Sequence, residues 1–136
     1  AVKAESPPVS VAVAGLVSRL PGVPVFGGLG GIGLLDEFAA GASGAMTGFS
    51  VPEALVAAVR AFEEGGLAAA RDALVPYLPL VNFEQQPGIA LAIRKEVLRR
   101  RGLVLESGVR APAAPMPEVL GPLLTTHLSA LGLGPG

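Results

Sequence analysis

Along the first half of the chain, short apolar bursts each precede a run with helical spacing. Ala1 to Glu5, Val23 to Gly27 and Gly44 to Thr47 read as strands, and Val9 to Leu20, Ile32 to Ala40 and Val51 to Glu64 as the helices that follow them. Short strands alternating with such helices are the mark of βαβ units and a parallel sheet. The third helix is the best marked: Ser50 and Glu53 have capping-box spacing, and Leu55, Val59 and Phe62 form an apolar stripe. Gly65 and Gly66 supply its stop.

After Gly66 the strand pattern ceases. A helix is predicted from about Leu67 to Asn82, bent at Pro76 and Pro79, where proline lacks a donor and crowds the preceding turn. A second begins at Pro87, carries Ile89, Ile93 and Val97 on one face, and stops at Gly102. An irregular link, Leu103 to Met116, leads to a last helix from Pro117 to Leu131 that should bury Leu120, Leu124, Leu128 and Leu131. A Gly-Pro-Gly tail is expected to fray. The chain therefore divides into three β/α units, residues 1–66, and a helical appendage, residues 67–136. A sheet of three parallel strands has two open edges, which natural proteins avoid exposing, so something should cover them.

Composition narrows the function. A net charge of -1 and a pI near 5.8 leave no excess of basic residues for a phosphate backbone or an anionic lipid surface, which sets nucleic acid and membrane aside as partners. With no cysteine, disulfides, thiolate metal sites and cysteine nucleophiles are excluded, which fits a cytoplasmic enzyme. Mean hydropathy is high, +0.59, and Leu20 to Leu35 carries no charge. That stretch nevertheless holds two prolines and six glycines between Arg19 and Asp36, which argues against a spanning helix. Strands buried on both faces account for the apolar content instead. The chain starts on Ala1, directly in a strand-like run with no signal-peptide pattern, as a cut chain would.

Side chains alternate along a strand, so Lys3 and Glu5 share one side and Ala4 takes the other, with Ser6 and Pro7 turning the chain. A lysine desolvated inside a barrel holds enough neutral amine to attack a ketone and form an imine. Gly28, Gly30 and Gly33 match the G-x-G-x-x-G string, but the next strand carries no acid for a ribose, so the glycines read as a tight turn near a ligand. Arg94, Lys95, Arg99, Arg100 and Arg101 cluster near a helix end, where cations offset the dipole and stay solvated. His127 has no second ligand at metal spacing, so no metal is expected. No G-x-S-x-G word is present.

Word order then adds a family. Lys3-Ala-Glu-Ser-Pro-Pro, Val25-Phe-Gly-Gly, Gly41-Ala-Ser-Gly-Ala-Met, Gly65-Gly66 with Ala69, Ala70 and Arg71, Lys95-Glu-Val-Leu-Arg-Arg-Arg-Gly and Val109-Arg-Ala-Pro follow one another over almost the whole chain. This order resembles the second half of the dihydrodipicolinate synthase and N-acetylneuraminate lyase family. The resemblance implies an α/β fold, the C-terminal part of a (β/α)₈ TIM barrel from the sixth strand onward, followed by the helical appendage. The chain of 136 residues is well short of the roughly 250 that a whole barrel needs. It implies a class I lyase acting on pyruvate or a related 2-keto acid, an aldolase, synthase or dehydratase, with Lys3 as the catalytic imine-forming lysine and no cofactor.

Glu5, Gly27, Gly28 and Met46 are the substrate-binding candidates that go with it. Gly27 and Gly28 would shape the rim after strand seven, and the Met46 backbone carbonyl would face the imine. Glu5 departs from the commoner family pattern, in which the acid directly follows the lysine; it would bind substrate or carry a proton, or else pair with an arginine elsewhere in the barrel. The family's proton-relaying tyrosine and its hydroxyl-rich carboxylate motif belong to earlier strands, and Tyr77 matches neither. Implied partners are the upstream half of the barrel, on this or another chain, and further copies in a homotetramer. A non-catalytic fragment or assembly subunit that another chain completes is the alternative.

Overall fold

A computed structural model describes residues 1–134. The last two residues of the tail predicted to fray lie outside the described residues. The order is β1 (Val2–Lys3), α1 (Val9–Arg19), β2 (Val25–Gly27), α2 (Leu34–Ala39), β3 (Gly44–Ala45), α3 (Pro52–Leu74), α4 (Leu78–Phe83), α5 (Ala90–Arg100) and α6 (Gly121–Ala130). Two compact units are present, Ala1–Pro76 and Tyr77–Gly136.

In the first unit the three strands are parallel and lie in the order β1-β2-β3, with Val2 opposite Val25, Lys3 opposite Phe26, Phe26 opposite Gly44 and Gly27 opposite Ala45. Each strand is shorter than the apolar run that predicts it, because ladder pairing stops where the chain turns into its loops. Alternation sorts the two faces. Ala4, Val25 and Ala42 join Val13 in a buried cluster, closed by Val9, Leu16 and Val17 of α1. Lys3 and Phe26 point the other way. Phe38 of α2 stacks on Phe62 of α3, with ring centroids 4.3 Å apart and planes 7° from parallel.

Helix α3 begins at Pro52, in the first-turn position where a missing N–H costs nothing. Val51 is the cap residue and makes no side-chain cap bond, so Ser50 lies one residue before the position expected of it. The predicted stop is present as a break: Gly66 takes φ 69°, ψ -160°, and the helix resumes to Leu74. Chain compactness divides at Pro76, inside a 3₁₀ turn over Val75–Tyr77.

In the second unit α4 packs with α6, and Leu80, Val81, Ile93, Val97, Leu124 and Leu128 are fully buried. Leu120 and Leu131, predicted to be buried, are half-buried. Pro87 precedes α5 rather than opening it, because Gly88 takes φ 82° in a turn and the helix starts at Ala90. The basic cluster is not simply solvated. Arg99 and Arg100 each donate 2.8 Å bonds to Glu96, Arg94 pairs with the buried Glu84 at 3.3 Å, and Lys95 donates to the Gly108 carbonyl. The Arg99 and Arg100 bonds hold the Glu96 carboxyl down to about 2.

Candidate active site at the C-terminal rim of the sheet

All three strands run the same way, so their C-terminal ends and the loops that follow form one rim. Lys3 ends β1, and its ammonium lies 3.2 Å from the Glu5 carboxylate. The two side chains are 37 % and 47 % exposed, on the face of the three-stranded sheet opposite α1. Ala4, between them, is buried on the helix side, as alternation requires.

The end of β2 is built around two glycines. A Cβ on Gly28 would sit 2.6 Å from a Glu5 carboxylate oxygen, and a Cβ on Gly27 would sit 1.6 Å from Oε2 of Glu37. Successive residues of a strand face opposite sides. The glycine pair therefore lets two carboxyl groups close on one stretch of backbone, Glu5 from the Lys3 face and Glu37 from the helix face. The loop after it is left-handed at Leu29 (φ 52°), Gly30 (φ 71°) and Gly31 (φ 82°). For Leu29 that conformation costs ~1 kcal/mol. The loop is tied to β3's own rim, because the Gly30 N–H donates to the Thr47 hydroxyl, and Gly31 leaves room only for Leu55. Met46 follows β3, donates its N–H to the Gly27 carbonyl at 3.0 Å and is exposed.

The rim thus brings together Lys3, Glu5, Gly27, Gly28 and Met46. The residue that sequence reasoning missed is Glu37. It is 1 % exposed, and neither carboxyl oxygen makes a hydrogen bond of good geometry among the described residues. Burial pushes it up to about 7; the nearby Gly28 N–H pulls the other way, and Asp36 adds to the rise. The signal was its place in the apolar stripe of α2, between the buried Leu34 and Phe38. His127, in the second unit, packs on Phe83 with ring centroids 5.1 Å apart. No helix of the described residues is long and apolar enough to cross a membrane.

No family model matches the chain. Over 89 residues it is 39 % identical to the L-2-keto-3-deoxyarabonate dehydratase of Azospirillum brasilense, a match covering 65 % of this chain and 27 % of that protein. Its fold superposes on the dihydrodipicolinate synthase of Rhodopseudomonas palustris with a TM-score of 0.81 at 32 % identity, covering 90 % of this chain and 42 % of that one. It also superposes on the 4-hydroxy-tetrahydrodipicolinate synthase of Methylacidiphilum fumariolicum SolV, with a TM-score of 0.78 at 26 % identity, over 97 % of this chain and 44 % of that one. The chain spans less than half the length of each of these relatives. In sequence and in fold it matches the C-terminal part of members of the dihydrodipicolinate synthase family.

Proposed function

We propose that this chain carries the reactive lysine of a class I lyase that converts pyruvate or a related 2-keto acid through an imine on Lys3. One observation carries the reading: Lys3 ends a parallel strand at the rim with a carboxylate 3.2 Å from its ammonium, in a chain 39 % identical to a keto-acid dehydratase. An ammonium must lose a proton before it can attack a carbonyl, and Glu5 is near enough to take it. The amine then adds to the keto carbon. Glu5 returns the proton to the departing hydroxyl, which leaves as water, and the protonated imine becomes an electron sink. Loss of a proton from the adjacent carbon gives an enamine that expels a β-hydroxyl in dehydration or attacks an aldehyde in condensation.

Of these two outcomes the dehydratase relative favours dehydration. The imine supplies the electron sink, so the reading calls for no cofactor and no metal. Gly27 and Gly28 keep the rim low enough for substrate to reach Lys3, and the Met46 backbone lines its far side. Residues 1–66 supply the last three β/α units of a TM barrel and 67–136 its helical appendage, in a cytoplasmic homotetramer. The test is incubation with pyruvate and borohydride followed by mass spectrometry. A reduced pyruvyl adduct on Lys3, lost in Lys3→Ala, is the expected result; normal turnover by Lys3→Ala removes Lys3 from the mechanism.

A second reading has its own support. The outer strands β1 and β3 each pair on one side only, and the chain spans 42 % of a synthase of matching fold. On this reading the chain is a non-catalytic piece that works only when the upstream half of the barrel pairs with those edges. Native mass spectrometry separates the two: an unmodified chain that gains the adduct only with a companion polypeptide favours the second.

A further inference from the structure

We propose that Glu37 is a positioning residue: from the helix side its carboxyl holds the Gly27–Gly28 turn, and so sets where Glu5 stands relative to Lys3. The geometry is specific. Glu37 fills the space that a side chain on Gly27 would occupy, and its Oε1 lies 3.2 Å from where a Cβ on Gly33 would be. Both ends of the rim loop Gly27–Gly33 are therefore glycines that make room for one carboxyl. The Gly28 N–H is the backbone donor near it, and Gly28 is also the residue against which Glu5 rests. A shift of the turn moves the surface that Glu5 packs on.

Packing alone does not account for a glutamate here. A leucine has similar volume and would bury no charge, whereas a buried carboxyl without good partners costs stability. What a carboxyl offers and a leucine lacks is an oxygen toward the Gly28 N–H. The groups facing Glu37 are few. Asp36 stands beside it on α2; across the Gly27–Gly28 backbone stand Glu5 and, behind it, Lys3. From α1 and the loop before it, Pro8, Val9 and Ser10 line the adjoining cavity of about 240 Å³, and none is charged. α3 contributes Leu55 against Gly31 and Phe62 against Phe38. Ionisation of Glu37 thus places a charge behind the turn, and the cation among these neighbours, Lys3, is already paired to Glu5.

The catalytic meaning of this role rests on the reading of Lys3 and Glu5 given above; the geometry does not. The experiment is isotope-edited NMR of the chain, titrated from below 4.5 to above about 7, reading the Glu37 carboxyl and the Gly28 and Glu5 backbone amides. In the wild type the Gly28 and Glu5 backbone amides should shift at the midpoint at which Glu37 titrates. Glu37→Gln, which keeps an acceptor oxygen, should hold both signals at their wild-type acid positions and abolish that step, while Glu37→Leu should displace both.

The idea is overturned if Glu37 titrates and neither Gly28 nor Glu5 responds, or if the Gln and Leu variants place them alike. Should the Leu variant not fold, the wild-type titration and the Gln variant still decide. Borohydride trapping on the same wild-type sample, complemented by the upstream half, reads the lyase proposal separately. Coupled titration without trapping leaves the positioning role standing and removes the lyase reading; trapping without coupling does the reverse.

Discussion

Glu37→Gln is the substitution whose energetic effect the structure fixes most sharply. The carboxyl has its ordinary value of 4.5 in the unfolded chain and about 7 in the fold, with burial as the largest cause. At about 1.4 kcal/mol per pH unit, that difference is worth roughly 3 kcal/mol. Its sign follows from proton counting. Between 4.5 and about 7 the native state keeps a proton that the unfolded state has lost, so stability is highest below 4.5 and falls as pH rises through about 7. Glutamine has the same shape and no proton to lose. The variant should match the wild type to within ~1 kcal/mol in acid and exceed it by roughly 3 kcal/mol above neutrality.

Urea denaturation followed by circular dichroism reads this directly. With a slope of roughly 1–3 kcal/mol per molar urea, the midpoint of Glu37→Gln should lie about 1 M or more above the wild type on the alkaline side. Other carboxyls do not confuse the comparison. Glu96, held down to about 2 by Arg99 and Arg100, contributes stability that is present above 4.5 and lost as pH falls toward 2, but it does so equally in both proteins. Parallel stability profiles for wild type and variant across neutrality would falsify the assignment of a buried, proton-retaining carboxyl at this position.

Gly27→Ala drives a methyl group to 1.6 Å from the Glu37 carboxyl and should cost about 2–3 kcal/mol by denaturation. Combined with Glu37→Ala it should cost less than the two changes summed, a coupling that a double-mutant cycle measures. Gly66→Ala meets no steric neighbour, yet φ 69° with ψ -160° is a region that only glycine enters readily, so a loss of about 1–3 kcal/mol in thermal or urea unfolding is expected. Glu96→Gln weakens three 2.8 Å charge-assisted bonds and should cost about 1–2 kcal/mol at neutral pH, with the difference shrinking as the wild type is acidified toward 2.

Much of the fold was legible because the β/α units carry their signals locally. Ala4 and Val25 are in the core and Lys3 and Glu5 opposite because strand alternation permits nothing else, and Gly66 breaks α3 where the glycine pair predicted a stop. The rim residues were legible through word order around Lys3. What escaped is what depends on distant partners. Glu37 shows in the sequence only as an acid on the apolar face of a short helix; that its carboxyl meets the Gly27 backbone shows only in the fold. The arginines of α5 read as a solvated cluster because Glu84 precedes that helix and Thr125 lies on another, so the contacts to Arg94 and Arg100 cannot be seen from spacing.

A buried carboxyl that lowers stability above neutrality calls for a reason, since an apolar residue of the same volume would fill the space without that cost. The two glycines give one. If Gly27 had carried a side chain, the helix face of the turn would have packed on itself and needed no carboxyl; if Gly28 had, Glu5 could not approach the backbone beside Lys3. Removing both side chains brings two carboxyl groups to one peptide, with Lys3 paired to only one of them. Stability is thereby exchanged for a fixed relation between the turn and the acid that faces Lys3. That exchange is what a site, rather than a core, requires.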